Sequence, residues 1–299
     1  MAETLEATPQ RVASRPRLRG AALLGTVPFF AYVAIFLIIP TLVVLIGAFT
    51  GDGGHGFTLD NVSALGDEYI LAAFGRSFLL SAVSALIGAF SGALLAYAVS
   101  TAKPEGALRR AVTAAAGVLA QFGGVTLAFA FLATIGLSGF VTVWLHDHAG
   151  LDIFANGVWL FEMPGLILVY TYFQIPLMVI VFLPALDGIR PQWREASESL
   201  GGTTWQYWTR VAGPLLAPAF LGSALLLFAN AFSAYATAAA LVSQGSPIVP
   251  LQIRGALTSE VVLGQANVGK AMALGMVVIV AVVMSLYTLL QKRTAKWLG

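Results

Sequence analysis

Six long stretches of the chain contain no Asp, Glu, Lys or Arg: residues 24–49, 77–100, 111–137, 166–186, 215–242 and 271–290. Apolar and polar positions do not alternate within them, which argues against barrel strands of about 10 residues facing lipid and water in turn. They are apolar all round, and each has at least 20 residues. About 20 helical residues cross a hydrocarbon core of ~30 Å, and in lipid a lone segment satisfies its backbone only as a helix. The pattern therefore predicts an all-α, polytopic membrane protein with six transmembrane helices. The first stretch is longer than the ~7–15 apolar residues of a signal-peptide core and predicts a retained helix. Residues 1–20, with Arg11, Arg15, Arg17 and Arg19 among prolines, predict a mobile tail. Residues 21–295 then form one six-helix domain.

Composition agrees, because only 10% of the 299 residues are charged against about 25% in soluble domains. The net charge of +2 says less than the placement of the bases. Thirteen of the 16 lie in the tail, in the loop holding Lys103, Arg109 and Arg110, in the loop holding Arg190, Arg194 and Arg210, and at Lys292, Arg293 and Lys296. Basic residues are retained on the cytoplasmic side of a membrane. This predicts a multi-pass plasma (inner) membrane protein with both termini cytoplasmic, and makes the bases topology signals and not a nucleic-acid surface. The opposite side holds eight acids against Arg76, Arg254 and Lys270. That excess suits a cationic substrate or a basic partner, and it also arises once the bases go inside. With no cysteine, disulfides and thiol chemistry are excluded.

One cytoplasmic loop is long, residues 187–214. Pro191 suits the first turn of a helix, and Arg194 to Leu200 predicts a short one. Gly201-Gly202 turns the chain, and Thr203 or Thr204 caps a second short helix bearing Trp205, Tyr207 and Trp208. Pro214 and Pro218 introduce the fifth span.

This loop resembles the signature of ABC importer permeases: E-A-A, three residues, G, nine residues, I-x-L-P. The chain has Glu195-Ala196-Ser197, three residues, Gly201, nine residues, then Val211-Ala212-Gly213-Pro214. Ser197 replaces an Ala, Val211 the Ile and Gly213 the Leu. The resemblance implies the type I importer permease fold, with this loop as the coupling helix that docks on cytoplasmic ATP-binding subunits. It further implies a second permease subunit and an extracytoplasmic substrate-binding protein. ATP would be bound by the partner, with no cofactor in this chain. Residues 171–179 and the C-terminal third resemble the spermidine/putrescine-like branch, which implies a polyamine-like solute.

Polar residues inside membrane spans are costly and mark function or helix pairing. Tyr170 and Gln174 cluster in span four, and Asn230, Ser233 and Thr237 follow i, i+3, i+7 spacing in span five. These five are the candidate translocation path. Gly88, Gly92, Gly123 and Gly124 suit close helix packing. His146-Asp147-His148 has the residue types of a metal site but no fourth ligand at a known spacing, and is expected to be a surface loop. No phosphate-cradling G-x-x-x-x-G-K-[ST] occurs. The competing function is a secondary transporter or channel driven by an ion gradient, and no internal repeat supports it.

Overall fold

The computed structural model describes residues 19–51, 56–103, 105–242, 248–258 and 265–298. The tail expected over residues 1–20 lies outside them except for its last two. Among the described residues, six stretches are long and apolar enough to cross a membrane: Thr26–Ala48, Glu68–Ser100, Gly124–Ala149, Met163–Asp187, Thr204–Ser233 and Ala266–Leu289. The chain divides into two compact units, residues 1–46 and 47–299.

The first unit holds most of helix α1, which runs through Arg19–Val33, a π-turn at Ala34–Ile38, and Ile39–Ala48. The π-turn has a local cause. Pro40 lacks an N–H, and its ring crowds the carbonyl of Phe36 one turn back. One extra residue in the turn relieves that contact. No described side chain of residues 26–46 is buried.

The second unit is built on a close pair of helices, α2 (Glu68–Ser100) and α6 (Met163–Asp187). Their approach explains two of the glycines. A Cβ on Gly88 would stand 2.4 Å from the Cβ of Gln174, and one on Gly92 2.5 Å from the Cβ of Met178. Without a hydrophobic force between helices in lipid, such backbone proximity supplies the packing energy. More than half of the apolar window of α6, 56%, is buried, which makes it the axis of the unit.

Around this pair lie α3 (Ala107–Gln121), α4 (Gly124–Ile135), α5 (Phe140–Ala149), α7 (Pro191–Ser199), α8 (Thr204–Ser233), α9 (Ala236–Leu241), α10 (Val249–Thr258) and α11 (Gln265–Leu298). One core joins α2, α3, α6 and α8 through Ala89, Ala116, Met178, Phe182, Leu227 and Phe232. A second joins α4, α6 and α9 through Leu127, Tyr170 and Leu241. A third packs Ile70 of α2, Val249 of α10 and Met272 of α11. There the Val249 N–H donates to Ser77 Oγ at 2.9 Å.

Several expectations need correcting. The uncharged run 111–137 is not one helix. It ends as α3 at Gln121 and restarts at Gly124, whose φ of +68° is open to glycine but not to a continuing helix of L-residues. Gly123 and Gly124 therefore mark a break and not a packing face. The run 215–242 is broken as well. Ala234 turns extended after Ser233, and α9 starts at Ala236. The second loop helix is not separate, because α8 runs from Thr204 into the membrane span through a π-turn at Trp208–Ala212. The segment between the first two spans holds helical turns at Asp60–Ser63 and Ala64–Gly66. The three bases of the opposite side, Arg76, Arg254 and Lys270, lie within α2, α10 and α11.

Candidate functional site

The sequence of the 187–214 loop dictates its shape almost residue by residue. Pro191 opens α7 at its first turn, where the missing N–H is not needed. The helix ends in a paired hydrogen-bond closure. The N–H of Gly202 donates to the Ser197 carbonyl at 2.9 Å, and that of Gly201 to the Glu198 carbonyl at 3.0 Å. This is a Schellman turn, whose C′ residue sits in the left-handed region. Gly201 occupies that position with φ +75°. Nothing lies within 4 Å of a Cβ placed there, so conformation and not space selects glycine. At Gly202 space decides, because a Cβ would meet the Ser197 carbonyl oxygen and hydroxyl at 2.7 Å. Thr203 then opens α8 with a reciprocal cap. Its N–H donates to Gln206 Oε1 at 2.8 Å, and the Gln206 N–H donates to Thr203 Oγ1 at 3.3 Å. The T-x-x-Q spacing is the sequence mark of that box.

α7 stands away from α8, leaving a crevice of about 940 Å³ lined by Trp193, Ala196, Ser197, Gly201, Arg210 and Pro214 among others. Four of the five predicted motif residues, Ala196, Ser197, Gly201 and Pro214, thus meet in one place. Glu195 does not line the crevice. Its side chain is exposed and has no ion pair among the described residues. The neighbouring Arg194 is held by Glu198 at 2.9 Å. That hydrogen bond and charge push the Arg194 guanidinium further up from its already high value, so it stays cationic. Leu200, at the tip, is 89% exposed. An unpaired carboxylate, an exposed apolar tip and a concave flank on one projecting helix make a surface suited to a protein partner.

Gly213, where the signature has Leu, has a structural reason. The π-turn brings the Trp208 carbonyl under it, accepting the Gly213 N–H, and a Cβ there would stand 2.5 Å from that oxygen. Pro214 follows this π-turn by two residues, as Pro40 follows the one in α1, and the extra residue relieves crowding by the proline ring.

The five path residues separate into two groups. Tyr170, Gln174 and Thr237 are buried within the protomer. The Tyr170 hydroxyl donates to the Ala234 carbonyl at 2.7 Å, at the break between α8 and α9. Gln174 Nε2 donates to the Leu227 carbonyl at 2.8 Å. Both join α6 to α8 and line no open surface. Asn230 and Ser233 are exposed on the last turn of α8. Ser233 returns its hydroxyl to the Ala229 carbonyl at 2.9 Å. The spacing that linked Thr237 to them fails because the helix ends between them. The two breaks are neighbours, with a Gly124 Cβ position 3.5 Å from the Cβ of Ala236. The sequence shows one of them as Gly123-Gly124; nothing comparable marks Ala234-Tyr235. His146 and His148 are exposed at the end of α5, and no group of three metal-ligating residues occurs among the described residues.

Comparison with known proteins adds a family. The family described as the binding-protein-dependent transport system inner membrane component matches residues 126–296. The sulfate transport system permease protein of Escherichia coli is 32% identical over 112 residues, 38% of this chain and 36% of that protein. The ferric transport system permease protein of Actinobacillus pleuropneumoniae is 27% identical over 197 residues, 64% of this chain and 27% of that protein. The matches therefore span well under half the length of both relatives. In fold, the chain resembles a crystal structure of a bacterial ABC transporter involved in the import of the acidic polysaccharide alginate. The TM-score is 0.69 at 21% identity, over 93% of this chain and 96% of that one.

Proposed function

We infer the role of this chain from its kinship and its geometry: it belongs to the family of binding-protein-dependent transport system inner membrane components. In our reading it is the membrane-spanning permease subunit of an ATP-driven importer. α7 docks on cytoplasmic ATP-binding subunits, and a second permease subunit completes the path. An extracytoplasmic binding protein delivers the solute. Energy enters through α7 because the chain has no phosphate-cradling loop of its own. Both termini and α7 face the cytoplasm, as the distribution of Lys and Arg requires. The path runs past the two helix breaks, with Asn230 and Ser233 as its polar side chains. Irregular backbone at membrane depth is tolerated where it is packed in protein or lines a cavity.

The observation that carries this reading is α7 itself. It is a projecting helix closed by the Schellman turn at Gly201, with Glu195 exposed and without an ion pair among the described residues. For the solute we propose a small inorganic ion of the kind for which the sulfate and ferric permeases are named. The polyamine expectation is withdrawn. Neither of those relatives is named for a polyamine, and most of residues 171–179 are buried in helix packing.

Co-purification tests the docking role. The tagged chain, solubilised from its own membranes, should bring down an ATP-hydrolysing subunit. Gly201→Val should lose it and Gly201→Asn should keep it, because Asn visits the left-handed region while a β-branched residue there is a true outlier. Undiminished retention by Gly201→Val at equal membrane levels would refute the role assigned to the turn.

A further inference from the structure

The described residues contain three ion pairs, and two of them lie within a single helix: His146–Asp147 and Arg194–Glu198. Only Arg109–Asp187 joins two helices. Arg109 is in the first turn of α3, and Asp187 is the last residue of α6, four residues before Pro191 opens α7. The side chains are 16% and 40% exposed. Arg109 is sheltered while Asp187 is open to water, so the Coulombic part of the pair is partly screened.

Two features set the pair apart from ordinary helix stabilisation. First, both charges are at the wrong end of their own helix. A cation at an N-terminus and an anion at a C-terminus each oppose the helix dipole. Local helix stability would favour the reverse arrangement, so the benefit lies between the helices. Second, the pair stands at one foot of the docking loop. Beside it, Ile189 packs against the α2–α6–α8 core, as does Val112 of α3. At the other foot Trp208 packs on the same core and meets the Tyr97 ring edge-on, with centroids 5.2 Å apart. Between the feet, no residue of α7 is buried. The loop is a projecting lever fastened at both ends.

We propose that Arg109 and Asp187 are positioning residues for energy coupling: their ion pair fastens the stem of α7 to α3, so that α3, α6 and α7 move as one body when α7 is displaced. This rests on the reading of α7 as the docking helix. With Asp187 held, only Gly188, Ile189 and Arg190 separate the fixed end of α6 from α7. Arg109 thereby gains a role beyond a topology signal.

The assembled importer, reconstituted in lipid, provides the test, with spin labels on Val118→Cys in α3 and Ser199→Cys in α7. Val118 is exposed, as is Ser199, and the chain has no cysteine of its own. Pulsed EPR distances are compared between nucleotide-free and MgATP–vanadate-trapped complexes. The native pair should give one narrow distribution, unchanged between the states. Arg109→Gln and Asp187→Asn should each give distributions that broaden and shift between them. The reversal Arg109→Asp with Asp187→Arg, which also suits both helix dipoles, should restore the narrow one. Single variants that behave like the native pair would overturn the proposal. So would a native distribution that itself shifts, or loss of both single variants from the membrane. If the unaltered chain retains no ATPase, the docking reading fails first, and the pair's role fails with it.

Discussion

At the scale of single residues, Tyr170 and the Gln174 amide N–H are explained by the backbone carbonyls they satisfy, while Asn230 and Ser233 stay exposed. Where α8 ends at Ser233, the Ala234 carbonyl lies in helix packing, and the Tyr170 hydroxyl donates to it. An unsatisfied buried carbonyl costs about 1–3 kcal/mol, while measured interhelical hydrogen bonds in membranes average ~0.6 kcal/mol with a maximum near 1.7. Tyr170→Phe removes only the donor and leaves the ring in place. It should destabilise the purified protein by about 1 kcal/mol, read as a lowered midpoint in thermal unfolding. An unchanged midpoint would mean that the Ala234 carbonyl finds another donor. Gly201 makes the same point for the backbone, because its φ of +75° is required by a two-bond closure and leaves open space for a side chain.

At the scale of elements, two prolines follow the same device. A π-turn ends two residues before Pro40 and another two residues before Pro214. In the second case a Cβ on residue 213 would stand 2.5 Å from the Trp208 carbonyl oxygen, so the Leu of the family signature would require this turn to shift. Gly213→Leu, which restores the signature, should destabilise the protein by about 1–3 kcal/mol, the usual penalty for overpacking. The same thermal measurement checks it. Stabilisation by this change would show that the π-turn is not needed.

Much of this organisation was legible beforehand. Charge-free length gave the number of candidate spans, because lipid favours helix in such runs, although the runs 111–137 and 215–242 are each broken. Pro191 and the Gly201-Gly202 pair specified α7 and its turn, and the cap was narrowed to Thr203 or Thr204, because each acts on its own backbone. The breaks in spans three and five were not legible as such. Neither break interrupts the charge-free run that contains it, and what holds the second is Tyr170, 64 positions away in the chain. The Arg109–Asp187 pair was hidden likewise, because a partner 78 residues distant leaves no local pattern.

At the scale of the whole molecule, orientation and docking are linked. Reporters at Glu105 and Gly202 should be accessible from the cytoplasm, and one at Gly150 from outside, if the retained bases set topology. A reporter at Gly202 facing outward would remove α7 from the reach of any cytoplasmic ATPase. A partner that drives a state change must bind the two states differently, and a lever fastened at both feet gives it a defined surface to discriminate. The central claim is that α7 touches the ATPase. The most direct measurement is zero-length or short-arm cross-linking from Ser199→Cys, in a chain with no other cysteine. The account predicts a cross-link to the ATP-binding subunit whose yield changes between nucleotide-free and ATP-trapped complexes. No cross-link from Ser199 or from any other position between Glu195 and Thr204, in membranes where both subunits are present, would contradict it.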